Sequence, residues 1–204
     1  MNNVIEVINK RRSIRSYDPK QIPKDIINTI IEAGNQAPSR GRLVNGGFKF
    51  QPWRFVVIQD PEFKKKLVQT TFPIWKNGTG SMKETHPEIY EKAMMLYEAR
   101  PEPKDVVYHD APVILFVIGP KSFAVSCTLA CENIMIAATS FGLASCYTGF
   151  GAMVMGNTDV VQALELKDDE RIYGPILLGY PKDDPMVDFM DQHKTYVKPT
   201  VKWI

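Results

Sequence analysis

Three arginines and a serine fall within five residues, Arg11-Arg12-Ser13-Ile14-Arg15. Guanidinium forks match phosphate oxygens, and a serine hydroxyl adds a further donor. The segment therefore reads as a compact anion site. Taken alone, it reads more readily as a solvated helix end, where cations complement the dipole. A second group is Ala37-Pro38-Ser39, followed by Gln51-Pro52-Trp53-Arg54-Phe55. Proline stiffens the loop, Ser39 and Gln51 offer hydrogen bonds, and Trp53 anchors the strand after it. A third group runs Phe141-Gly142-Leu143-Ala144-Ser145-Cys146-Tyr147-Thr148-Gly149-Phe150-Gly151. Its glycines let a backbone approach a flat ligand, so that main-chain N–H groups can address ring nitrogens and oxygens. The bland reading of that stretch is a glycine-punctuated connection.

These groups need elements to position them. Residues 3–12 read as a helix with Val4, Ile5 and Ile8 on one face. Pro23 suits the first turn of a second helix, whose apolar positions Ile26, Ile27, Ile30 and Ile31 run to a stop at Gly34. Residues 37–52 read as a long loop. Residues 53–58 and 113–118 read as buried strands, and 172–178 as another. Helices are expected at 62–69 and 87–99, and a long one over 123–141 that looks buried nearly all round. Few strands, not strictly alternating with helices, point to an α+β sheet sandwiched by helices rather than a doubly wound fold. The last 24 residues read as an irregular polar tail ending in Trp203-Ile204.

With 204 residues, 44% hydrophobic and 24% charged, the chain has ordinary globular usage and enough length for a core. The net charge of +2 lacks the basic excess that advertises nucleic acid. The N-terminus places its basic residues after a short apolar stretch, the reverse of a secretory signal. No uninterrupted apolar run is expected to span a membrane. Three cysteines, Cys127, Cys131 and Cys146, give an odd count without a disulfide framework, which points to a reducing cytoplasm.

In their order and separation, RRSIR, APS…QPWRF, the Gly-Leu segment after a long helix, and LLGYP resemble the nitroreductase-like flavoprotein family over roughly residues 3–181. The resemblance implies an α+β fold with a central mixed or antiparallel sheet flanked by helices, in an intertwined homodimer with FMN in each interface cleft. It implies that Arg11, Arg12 and Ser13 hold the FMN phosphate and ribityl chain, and that Arg15 lies against N1 and the C2 carbonyl. Pro38 and Ser39 would contact the ring from the partner subunit. The main chain at Thr148 and Gly149 would face N5 and the C4 carbonyl. Gln51 belongs to the same loop group. The loop 40–50 is longer than the family's usual handful of residues, and Asn45 would supply the Asn often found there. Lys194 and Lys198 are the candidates for completing the phosphate site.

On that resemblance the chain is a single FMN-binding domain, 1–204, with 72–105 a possible lid insertion and 182–204 a tail. Hydride would pass from NAD(P)H through flavin N5 to a small acceptor (a nitroaromatic, quinone, enone or flavin) in a ping-pong cycle that needs no catalytic side chain. Members that cleave or dehalogenate remain among the options. The alternative class is a non-catalytic flavin-binding protein for storage or sensing.

Other signals point away from rival chemistry. His86, His109 and His193 have no metal-ligand spacing and read as surface or structural residues. Cys127 and Cys131 share a helix face and read as core. The sequence lacks a GxSxG, a GxxxxGK[ST] and a GxGxxG. Met153 and Met155 read as packing residues, and Met94, Met95 and Tyr97 as able to meet a flat substrate across the lid.

Overall fold

The computed structural model describes residues 3–44, 47–49, 51–100, 104–182 and 198–204. Its centre is an antiparallel sheet. β4 (Arg54–Ile58) pairs with β5 (Val113–Pro120), and β5 with the long β7 (Glu170–Pro181). Along its other edge β7 carries β6 (Ala144–Tyr147) and then β1 (Tyr17–Asp18). Every pairing between these strands is antiparallel, and an isolated bridge between Ser13 and Ser145 is parallel.

β5 is buried along its whole length and explains why VILFVI has no polar alternation. Side chains of a strand point alternately to its two faces. Val113, Leu115 and Val117 join the cluster built with α2 (Lys24–Asn35) and α6 (Ala124–Ser140). Ile114, Phe116 and Ile118 join Leu67 and Trp75 of α3 (Pro61–Gly80), Val160 of α7 (Thr158–Ala163), and the segment Val106–Ala111. Both faces are covered, so both sets of positions must be apolar.

Local chemistry sets the element ends. Asp60 accepts from the Phe63 N–H at 2.7 Å and Pro61 occupies the first turn of α3. Gly142, at φ 72°, ends α6 in the left-handed region, and the Leu143 N–H returns to the Ala138 carbonyl at 3.0 Å. α1 (Asn3–Lys10) and α5 (Pro87–Ala99) also fall where the periodicity puts them.

Several expectations need correction. The loop 37–52 contains a short hairpin, β2 (Arg42–Val44) with β3 (Gly47–Lys49). The helix expected at 62–69 continues through Pro73 to Gly80, because Leu67, Thr71, Trp75 and Thr79 keep one buried face past the proline. A four-residue helix, α4 (Met82–Thr85), then leads to α5. β6 was hidden between glycine-bearing turns. The stretch Lys121–Ser140 is long and apolar enough, by length and composition alone, to cross a membrane, although Glu132 and Asn133 interrupt its apolar run. It packs Cys127, Ala130, Cys131, Ile134, Met135 and Ala138 into the core. It is not buried all round, since Val125 and Leu129 are exposed. Met153 and Met155 are exposed as well, rather than packed.

Candidate functional site

The basic segment after α1 is sewn to the sheet edge. The Ile14 N–H donates to the Ser145 carbonyl at 3.0 Å, and the Tyr17 hydroxyl donates to the Ile14 carbonyl at 2.6 Å. Tyr17 is itself held in β1 opposite Pro181. The chain is thus pinned on both sides of Arg15. On the facing side, β6 delivers Thr148 and Gly149. The register shift of β7 around Gly174-Pro175 turns the Pro175 carbonyl toward the Thr148 N–H, at 3.1 Å. Gly174 sits at φ 92°, a region that favours glycine.

Arg15, Thr148 and Gly149 line one cavity of about 270 Å³. The same cavity is walled by Trp75 of α3, Ala93 and Leu96 of α5, Val106, Val107 and Phe150. The Thr148 N–H is already given to Pro175. The Gly149 N–H has no acceptor among the described residues, and a Cβ built at Gly149 would meet nothing within 4 Å. The backbone there is open to close approach.

Two residues at this cavity were not placed in a site by the sequence. Arg100, at the end of α5, donates from Nη2 to the Arg15 carbonyl at 2.7 Å and to Nδ1 of His109 at 3.0 Å. His109 is buried, in a left-handed conformation at φ 54°, next to Asp110 at φ 55°. The buried Asp105 carboxylate holds that turn by accepting from the N–H groups of Val107, Tyr108 and Asp110 at 3.0, 2.7 and 3.0 Å. Burial, then the Arg100 and Arg15 charges, push the His109 pKa well below the ordinary value. Arg100 can only donate, so Nδ1 of His109 accepts and the ring proton lies on Nε2. His109 is structural, as expected, but it belongs to the cavity. No periodicity marks either residue, because Arg100 sits just past the end of α5 and His109 sits in the irregular turn that Asp105 holds.

Most of the other sequence candidates lie apart from this cavity. Arg12 turns back on its own helix end, with Nη1 donating to the carbonyls of Asn9 and Arg11 at 2.6 and 2.8 Å. Arg11 Nε lies 4.0 Å from Glu132 of α6. Pro38 and Ser39 line a separate cavity of about 420 Å³ with Arg40, Phe123 and Val125, which shares no lining residue with the Arg15 cavity. Gln51 is exposed before β4, and Arg54 is occupied with Glu170 at 2.9 Å and with the carbonyls of Leu164 and Glu165. Lys198 is exposed on an irregular stretch. Asn45, Lys194 and His193 lie outside the described residues. Met94 lines a neighbouring pocket with Tyr97 and Trp75, and Met95 is exposed. Burial pushes the Cys127 thiol up to about 11 and Cys131 to about 12, which keeps both neutral in the core.

The fold and cavity together define an α+β protein with a cationic, partly apolar pocket at a sheet edge, suited to a flat anionic ligand. The chain matches the nitroreductase family over residues 8–180 and belongs to that family. A protein of Archaeoglobus fulgidus, provisionally named an NADH dehydrogenase/NAD(P)H nitroreductase, is 27% identical over 184 residues, covering 90% of this chain and 88% of that one. A nitroreductase of Bacteroides fragilis, solved with bound FMN, is similar with TM-score 0.65 and 26% identity, over 99% of this chain and 96% of that one. Human iodotyrosine deiodinase 1 is 39% identical over 62 residues, 30% of this chain and 19% of that protein.

Proposed function

We propose that the chain is an FMN-dependent oxidoreductase that uses NAD(P)H to reduce a small acceptor, and that it works as a homodimer in the cytoplasm. The observation that carries this reading is the single cavity lined by Arg15 and by Gly149 with its N–H facing no described acceptor. Further features fit FMN. The Oγ atoms of Ser39 and Ser145 are buried without a hydrogen-bond partner among the described residues, and buried polar atoms are normally satisfied. Arg11, Arg12 and Ser13 would hold the phosphate end. Arg15 would meet the ring edge where negative charge develops, and Gly149 would donate to the opposite edge. When bound, FMN supplies two-electron redox chemistry, so the protein's share is binding, orientation and charge.

The homodimer is supported by the separation of the two cavities. Pro38 and Ser39 do not share a cavity with Arg15 in one copy, and a site built from both groups needs two. At about 270 Å³ the Arg15 cavity lies below the roughly 300–1,000 Å³ of a closed small-molecule site. Val4, Ile5 and Ile8 are exposed, and a groove of about 750 Å³ runs between α1 and α6. Three free thiols support a reducing compartment. The acceptor is not set by family, since relatives carry names as different as nitroreductase and deiodinase.

The test is anaerobic mixing of the purified, FMN-saturated protein with NADH and with NADPH, following flavin absorbance. Rapid bleaching is expected with at least one of them. Yellow protein that does not bleach would point to storage or sensing, and colourless protein that refuses FMN would end the flavin reading.

A further inference from the structure

We infer that Arg100 selects the acceptor: it makes the cavity a site for flat substrates that carry an anionic group, a carboxylate or a phenolate. The inference rests on the reading of this cavity as the redox site. Arg100 closes α5, where its backbone turns to ψ 140°, and it lines the cavity. Both hydrogens of Nη2 are used, one by the Arg15 carbonyl and one by His109. These two bonds fix the guanidinium plane. Nε and Nη1 make no hydrogen bond to the described residues, and no described carboxylate lies within 4.0 Å of the guanidinium.

The nearest acids are otherwise engaged. Asp105 spends its oxygens on three main-chain N–H groups. Burial and then Asp105 push the Asp110 pKa up, with Arg100 and Lys64 acting in the opposite sense. Among the described residues lining the cavity there is no Asp or Glu. His109 adds an acceptor and a neutral ring rather than a counter-charge. A half-buried guanidinium therefore lines the cavity with three N–H donors and no counterion among the described residues, in a cavity that Arg15 lines as well. Charge-assisted, forked hydrogen bonds to a carboxylate are the interaction such a group is built to make. Trp75, Leu96, Val106 and Phe150 give the wall an apolar part that suits a ring. With Arg15 assigned to the cofactor, Arg100 is the cation left for the substrate.

The probes are benzoate and its uncharged isostere benzamide, titrated calorimetrically into the protein with and without added FMN. Wild type should bind benzoate at least about tenfold more tightly than benzamide. Arg100→Leu should lose about 10- to 100-fold in benzoate affinity, the worth of a charge-assisted hydrogen bond, with a much smaller change for benzamide. Arg100→Lys, which keeps charge but not the fork, should recover part of it. In turnover, kcat/KM for 4-nitrobenzoate relative to nitrobenzene should fall in step. Equal affinity of wild type for the two probes would overturn the inference whether or not any variant folds. So would equal losses for both probes in Arg100→Leu, or weakened FMN binding with benzoate preference intact, which would put Arg100 on the flavin. Colourless protein that still selects benzoate through Arg100 would sink the flavin reading and leave an anion site.

Discussion

Arg100 Nη2 lies 2.7 Å from the main-chain carbonyl of Arg15, joining positions 85 residues apart. The end of α5 is thereby tied to the segment just beyond α1. Both arginines line one cavity, and the bond runs through the backbone of Arg15, apart from its side chain, whose Nη1 donates to the Ser13 carbonyl at 3.2 Å.

That separation makes Arg15 testable alone. A guanidinium at the ring edge favours the more negative, reduced flavin over the neutral oxidised one. A charge-assisted hydrogen bond is worth roughly 1.5–3 kcal/mol, and about 30 mV corresponds to roughly 1.4 kcal/mol for a two-electron couple. Arg15→Leu should lower the midpoint potential by about 30–60 mV. Arg11→Leu should weaken FMN binding while the potential of bound flavin stays put. Spectroelectrochemistry of both variants, saturated with FMN, checks this. An unmoved potential in Arg15→Leu would remove Arg15 from the ring.

His109 should give the fold a pH dependence. In the unfolded chain its imidazole takes a proton below about 6.5. In the folded chain, burial first and then Arg100 and Arg15 keep it neutral to lower pH. Between those two values the unfolded state binds more protons, so stability rises with pH and is lost on acidification. The slope for one proton is at most about 1.4 kcal/mol per pH unit. His109→Asn retains an acceptor for Arg100 and tolerates φ 54°. It should flatten the change in urea midpoint between about pH 7.5 and 5.5. Identical pH profiles in variant and wild type would show that His109 titrates normally.

Ile8 is exposed on α1 and lines the groove against α6. If that face is covered by a second copy, Ile8→Glu buries a charge at the interface, at a cost of several kcal/mol. Light scattering should then show monomer, and bound FMN should be lost with it. A wild-type monomer that keeps FMN would contradict the dimeric site.

Ala93 and Leu96 of α5 line the cavity, whereas Met94 faces the neighbouring pocket and Met95 faces solvent. If 72–105 acts as a lid, Leu96→Ala should reorder kcat/KM across acceptors of different bulk, and Met95→Ala should not. The same order in both variants would make α5 a packing helix.

Much of this was legible because period and punctuation are strong in it. α5 begins and ends where its apolar spacing and Pro87 indicate, and β5 is the apolar run VILFVI. β6 was not legible: four residues between Leu143 and Thr148 carry no alternation, and their place is fixed by pairing with Ile176–Gly179. Within the site, Arg15 and Gly149 stand out by local type and spacing. Arg100 and His109 do not, because their meeting depends on a turn held by Asp105 and on a carbonyl from the far end of the chain.

Two glycines of the 149–151 turn should separate folding from binding. Gly149 has φ −70° and ψ −41°, which alanine adopts freely, and a Cβ there meets nothing within 4 Å. Gly149→Ala should leave the melting temperature nearly unchanged. The new methyl would stand where the ligand must approach the backbone, so FMN affinity should fall. At Gly151 a Cβ would lie 2.7 Å from Pro175 Cγ, 2.9 Å from Tyr108 Cε1 and 3.0 Å from Thr148 Cγ2. None of these can move easily, since Tyr108 is buried with its hydroxyl on the Gly151 carbonyl at 2.9 Å. Overpacking of this kind costs about 1–3 kcal/mol, which for a domain of this size lowers Tm by roughly 2–12 °C. Calorimetric melting with and without FMN measures both effects. A destabilised Gly149→Ala, or one that binds FMN as wild type does, would remove this turn from the proposed flavin contact.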